Sequence, residues 1–187
     1  NSVTPEVLAE LGVKPQNHIT LTRTGDIAKD IAADQAIWSG IQQGELYWFV
    51  GTNVIATSLS PLAGEPMLVP TINKSPHGVG TSSAVLKANP EAVIFFVEAE
   101  GSLGSAASHA LVFEHPAVDI ISTSYGAGIP GAPIGTGLFL PEVFPFESSH
   151  KGVVELGKLH FSSGGNMPGF TPGRAGAGPW WSIGVSG

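Results

Sequence analysis

His77 opens the run His77-Gly78-Val79-Gly80-Thr81-Ser82-Ser83-Ala84, a histidine followed at once by glycine and small residues. That composition suits an imidazole at the start of a buried helix. Glycine permits close backbone approach, and the small residues let the helix lie tightly against a sheet. An ordinary imidazole titrates near neutral pH, so His77 is a candidate general base. The bland alternative is a solvated or structurally hydrogen-bonded histidine. Other chemistries find less support. His18, His109, His115, His150 and His160 form no His-x-x-x-His pair with one another or with His77, so metal ligation on one helix face is not indicated. The chain has no cysteine, which removes thiolates and disulfides. Gly126-Ala127-Gly128-Ile129-Pro130-Gly131 spells a dinucleotide fingerprint after a strand. Pro130 and Pro133, with Gly131 and Gly135, prevent the helix that would hold the pyrophosphate. Gly78 to Ser82 lacks the lysine of a phosphate-binding loop.

The elements that must position these residues read as α/β. Glu6 to Leu11 suggests a short helix ended by Gly12. Asp26 to Gln43 reads as one helix, with Asp26 as N-cap, Gly44 as stop and Ile27, Ile31, Ile37 and Ile41 as apolar positions. Leu46 to Val50 is a continuous apolar run, read as a buried strand, and Gly51 to Pro76 reads as a loop. Gly80 to Leu86 is the helix behind His77. Ala92 to Val97, Val118 to Ser124, Leu159 to Ser163 and Trp180 to Val185 complete five strands. Ser105 to His115 and the weaker Ser148 to Gly157 supply further helices. Alternation of this kind predicts a parallel sheet with helices on both faces. In such sheets the active crevice lies beyond the carboxyl ends of the strands. His77, Ser124 to Gly128, and Gly164-Gly165-Asn166 all follow strands, so all three can reach one edge.

Bulk composition narrows the partners. The chain has 187 residues, enough for one domain with a substantial core. A formal net charge of -7 argues against nucleic acid, which wants a basic stripe. Charged residues make up only 12% of the chain, so it is apolar enough to fold despite 25 glycines and 15 prolines. No apolar run approaches a membrane span. Asn1-Ser2-Val3-Thr4-Pro5 is not a signal peptide.

Together the His-Gly run, the strand Val118 to Gly126 and the strand ending Ser162-Ser163-Gly164-Gly165-Asn166 resemble the subtilisin-like serine peptidases, the subtilases. The interval from His77 to Asn166 is similar to the family's, and Ala36 to Gly40 followed by Gly44 resembles the segment that introduces its first core strand. The resemblance covers roughly residues 34–187. It implies a subtilisin-like fold and a secreted or extracytoplasmic peptidase acting on peptide or protein substrates. It implies His77 as general base and Asn166 as side-chain donor to the oxyanion. A donor of this kind is worth roughly 100- to 1000-fold in rate, as measured in a subtilisin. Ser124, Tyr125 and Gly126 would pair with an extended peptide, and Gly126, Ala127 and Gly128 would wall a specificity pocket. No cofactor is implied. Structural calcium, frequent in the family, has no clear acidic loop here.

The sequence departs from the family pattern twice. The family's triad aspartate ends the first core strand, where this chain has Gly51 in Val50-Gly51-Thr52-Asn53. Glu45 and Glu65 are substitutes by proximity in sequence; Glu98 and Glu100 follow the second strand, and Asp119 suits a structural role. The family's serine, in Gly-Thr-Ser well after the asparagine, is also missing. Gly80-Thr81-Ser82 spells those letters too close to His77 to face it. The expectation is a single catalytic domain, incomplete at its C-terminal end, with residues 1–24 as an arm, a propeptide remnant or an edge element. A complementary C-terminal segment or second chain would carry the serine and cover apolar strand surface. The rival expectation is an inactive subtilase-like domain that binds peptides or serves as a structural partner.

Overall fold

The computed structural model describes residues 2–59, 68, 77–98, 101–123, 146–165 and 182–186. The chain divides into two compact units, Asn1–Glu100 and Gly101–Gly187.

In the first unit, α1 (Pro5–Leu11) begins where Thr4 accepts a hydrogen bond from the Val7 amide, and it ends at Gly12 with φ of 80°. A left-handed residue there lets the backbone turn back onto the last carbonyls, and glycine adopts it without strain. Leu8 and Leu11 are buried. A 3₁₀ turn at Pro15–Asn17 leads into β1 (His18–Ile19). Asp26 caps α2 (Ile27–Ala33), accepting from the Lys29 amide. The single helix expected from Asp26 to Gln43 is instead two, because Asp34 separates α2 from α3 (Gln35–Gly40). The Asp34 carboxylate accepts from the Thr22 amide at 2.8 Å and the Thr22 hydroxyl at 2.6 Å. Its backbone, at φ −94° and ψ 16°, leaves the helical region. An aspartate engaged with a distant backbone amide competes with helix continuation.

The next strands are β2 (Tyr47–Phe49) and β3 (Val54–Ser58), followed by α4 (His77–Ala88) and β4 (Ile94–Glu98). They form a sheet of order β1-β2-β3-β4. The β1–β2 and β3–β4 pairs are parallel, and β2–β3 is an antiparallel hairpin. The expected loop from Gly51 to Pro76 therefore contains a strand. Gly51, at φ 79°, lies in the hairpin turn. Thr52 fixes that turn by donating its hydroxyl to the Phe49 carbonyl, while the Trp48 indole donates to the Thr52 carbonyl. Ile19, Trp38, Ile41 and Tyr47 form the core against one face, with Phe49 and Leu68 packed on them. The Tyr47 hydroxyl accepts from the Gln42 amide, which holds the turn after α3 onto the sheet.

The second unit holds α5 (Gly101–Glu114), β5 (Ile120–Thr123), α6 (Phe146–His150) with a π-helical turn at Lys151–Glu155, β6 (Leu159–Gly165) and β7 (Ile183–Ser186). Its sheet, β5-β6-β7, is wholly parallel. Phe113 of α5 is fully buried and meets the His160 ring edge-on at 4.9 Å. The buried Lys158 ammonium donates to the His115 and Val118 carbonyls, so the start of β6 caps the exit of α5. Lys151 pairs with Glu114 across the same junction.

The mixed α/β class agrees with the sequence. The strand pairs are mostly parallel, as expected, with β2 against β3 the exception. In the second unit the described helices do not cover the two faces of the sheet equally. There α5 covers the face bearing Ile121 and His160, while Ile120, Leu159, Ile183 and Val185 on the other face remain 47–61% exposed.

Gly152 allows the π turn to touch α5. A methyl group there would lie 2.6 Å from the Phe113 carbonyl oxygen and 2.9 Å from its ring. Gly152→Ala should cost about 1–3 kcal/mol by overpacking, read as a lowered urea midpoint. An unchanged midpoint would show that α5 and the turn are not in contact.

Candidate functional site

In the first unit, β3 and β4 are parallel neighbours joined through α4, so their carboxyl ends share one edge. Ser58 ends β3 and Glu98 ends β4, and the two are register partners. The Leu59 amide donates to the Glu98 carbonyl at 2.7 Å, which extends the ladder one step beyond the strands. His77 is the first residue of α4 and is exposed, three residues earlier than the start expected at Gly80. The close approach expected of Gly78 is present. A Cβ on it would stand 3.1 Å from Cε2 and 3.3 Å from Cζ of Phe96. Thr81 folds its hydroxyl back onto the Gly78 carbonyl at 3.0 Å. Contrary to expectation, α4 buries no side chain.

Gly51, where the resemblance would put the triad acid, lies in the β2–β3 hairpin turn. Because β2 is antiparallel to β3, the end of β2 lies at the amino edge of β3, the opposite end from Ser58. The strand that leads to His77 is β3, and its last residue is Ser58, fully buried. The acids considered for substitution divide by their partners. Glu45 accepts from Lys14 Nζ at 2.6 Å and from Asn17 Nδ2 at 3.1 Å. These bonds hold its carboxyl below the usual range, that of Lys14 first. Asp119 precedes β5 at its amino end, and its carbonyl accepts from Leu159. Glu98 accepts at Oε2 from the Leu68 amide at 2.8 Å. Glu65 and Glu100 lie outside the described residues, and so do Ser124, Tyr125, Gly126, Ala127, Gly128 and Asn166.

In the second unit, β5 and β6 are adjacent and parallel, with Ile120 opposite Leu159 and Thr123 opposite Ser162. The described part of β5 stops at Thr123, directly before Ser124, and that of β6 at Gly165, directly before Asn166. Beneath these ends is a buried polar cluster that the sequence does not single out. His160 Nε2 and Thr123 Oγ1 are 2.9 Å apart, and Thr123 Oγ1 donates to Ser162 Oγ at 3.2 Å. His160 Nδ1 and Ser182 Oγ are 2.7 Å apart. With the Thr123 proton on Ser162, the consistent assignment has Nε2–H donating to Thr123 and Nδ1 accepting from Ser182. His160 therefore ties β5, β6 and the residue that precedes β7 through one ring. His109 of α5 stacks on Phe113 at 5.8 Å. Burial, with the neighbouring His109 charge adding to it, pushes His160 down to about 4. A neutral imidazole bonded on both nitrogens is a structural hub at neutral pH.

The sequence signal for this cluster is an inverted alternation. In β5 and β6 the residues turned inward include Thr123, His160 and Ser162, while Ile120 and Leu159 face out. An apolar period of two normally puts the apolar set inside, so the strand is legible but its inner face is not.

Among the described residues no group of three His, Cys, Asp or Glu side chains is arranged to hold a metal ion. No helix among them is long and apolar enough to cross a membrane. No protein-family model matches this chain, and neither a curated protein nor a solved structure matches it.

The lowered His160 value sets a pH dependence. The unfolded imidazole titrates near 6.5 and the folded one near 4, so the unfolded state binds more protons between those values. This contribution to stability is complete above pH 6.5 and is lost as pH falls towards 4. The loss between pH 7 and pH 5 should be about 2 kcal/mol, measured by urea unfolding. In His160→Gln that window should flatten; an equally steep loss in the variant would place the proton elsewhere.

Proposed function

We propose that this chain is the N-terminal portion of a subtilase-type serine endopeptidase, acting outside the cytoplasm on peptide or protein substrates. The observation that carries the reading is the β5–β6 pair, whose parallel register aims both strands at one edge immediately before Ser124 and Asn166. The crossover from β3 through α4 to β4 adds support, since it begins its helix at His77. A histidine that opens a helix after a strand's carboxyl end suits general-base chemistry.

On this reading a serine on a segment or chain beyond residues 1–187 attacks the scissile carbonyl. His77 takes the hydroxyl proton as the carbon–oxygen bond forms, and the Asn166 carboxamide donates to the oxyanion. His77 then returns the proton to the leaving amine as the carbon–nitrogen bond breaks. Water hydrolyses the acyl-enzyme by the same proton path. Ser124, Tyr125 and Gly126 pair with the substrate main chain, and Gly126, Ala127 and Gly128 line the pocket before the scissile bond. The exposed face of Ile120, Leu159, Ile183 and Val185 supports a complementary segment, since parallel sheets are ordinarily covered on both sides.

One observation favours the second reading, an inactive subtilase-like domain that binds peptides. The residue that ends β3 is Ser58, whose hydroxyl cannot carry the charge of a triad acid. A fluorophosphonate probe separates the two. The full protein, with its serine-bearing segment, should be labelled on a serine outside residues 1–187. His77→Ala should abolish labelling and lower kcat by about 10⁴-fold or more, with the circular dichroism spectrum retained. No labelling of the wild type under conditions where peptide binds would favour the inactive domain.

A further inference from the structure

We propose that Glu98, across the ladder from Ser58, is the carboxylate that orients His77, taking over at the end of β4 the task that Ser58 cannot perform at the end of β3. The inference rests on the acyl-transfer reading above and names a positioning residue for it.

Strand geometry makes the first argument. Register partners in a parallel pair point to the same face, and so do residues two apart along a strand. Ala56 pairs with Phe96 and Ser58 with Glu98. Phe96 and Glu98 therefore share a face, with Glu98 one step nearer the carboxyl edge. The start of α4 lies on that same face, because a β-carbon on Gly78 would stand only 3.1–3.3 Å from the Phe96 ring. His77, the residue before Gly78, thus enters on the face that carries Glu98. Successive same-face residues stand roughly 6.5–7 Å apart along a strand, an interval that a glutamate and an imidazole can close between them.

Elimination among the described acids makes the second, Glu65 and Glu100 lying outside them. Gly51 lies at the opposite edge of β3. Glu45 comes close in the chain, for the Gly44 amide donates to the Ser58 carbonyl at 2.9 Å. Its carboxylate, however, is drawn towards β1 by Lys14 and Asn17. Asp119 lies at the amino end of its strand. Glu98 is half-buried, and the Leu68 amide holds its Oε2 at 2.8 Å. That backbone donor orients the carboxylate, and a carboxylate hydrogen-bonded to the imidazole is what holds a catalytic histidine in place. Glutamate also has one more methylene than aspartate, which lengthens its reach from the neighbouring strand.

The test uses the full protein and the rate of fluorophosphonate labelling, with steady-state cleavage of a peptide substrate beside it. Glu98→Gln should slow labelling and lower kcat by about 10³- to 10⁴-fold, with KM unchanged and the acidic limb of the pH–rate profile displaced. Glu98→Asp should recover part of that loss. Glu91→Gln, beyond the other end of β4, should label at the wild-type rate. If Glu98→Gln does not fold, a folded Glu98→Asp with reduced labelling, unchanged KM and a displaced acidic limb supports the proposal, and one at the wild-type rate overturns it. Wild-type labelling rates in a folded Glu98→Gln overturn this assignment and leave the peptidase reading standing. A wild-type protein that never labels overturns both.

Discussion

Parallel strand pairing is the constraint on which the rest depends. Two parallel strands cannot be joined by a tight turn, so the chain must cross back over the sheet before the next strand begins. The consequence is directional: every such strand releases the chain at the same edge. In the first unit β3 and β4 obey it, and α4 with His77 at its head is the crossover. In the second unit β5, β6 and β7 obey it, and the described parts of β5 and β6 end directly before Ser124 and Asn166. The one antiparallel pair described, β2 with β3, breaks the rule and puts Gly51 at the edge of β3 opposite Ser58.

The two units stabilise their sheets by different physics. The first relies on apolar burial, with Ile19, Trp38, Ile41 and Tyr47 closing one face. Its polar anchors, Asp34 on Thr22 and Glu45 on Lys14 and Asn17, fix the loops that surround that core. The second turns polar side chains inward. A hydroxyl or imidazole buried without a partner costs free energy, whereas a satisfied network fixes one arrangement. His160 satisfies that demand with Thr123 and Ser182, and Phe113 seals the ring from α5. The same network fixes Thr123 and Ser162 just behind the motifs that the peptidase reading uses. Packing and proposed chemistry are thereby joined at the level of single side chains.

What can be read from the sequence follows from how local each signal is. The C-terminal end of α1 and the start of α2 are legible because a cap needs only its own few residues: Gly12 in its left-handed turn, Asp26 with Lys29. The break at Asp34 is not, because its cause is Thr22, twelve positions away. β3 escapes a sequence reading because Val54-Ile55-Ala56-Thr57-Ser58 is half small and polar, and its strand character comes from neighbours on both sides. That Ser58, and not Gly51, ends the strand leading to α4 follows from that one strand. His77 stands out because a histidine before glycine has a local geometric meaning, seen where Gly78 meets Phe96. His160 does not stand out, because nothing in a five-residue window distinguishes an inward histidine from an outward one.

Active-site-directed alkylation tests whether His77 is the base of an acyl-transfer site. A peptidyl chloromethyl ketone first adds to the nucleophilic serine and then alkylates the histidine that serves it. Digestion of the treated full protein and mass spectrometry should find the adduct on the peptide containing His77. An adduct on His160 or another histidine, or none while a known serine peptidase in the same tube is modified, would contradict the account.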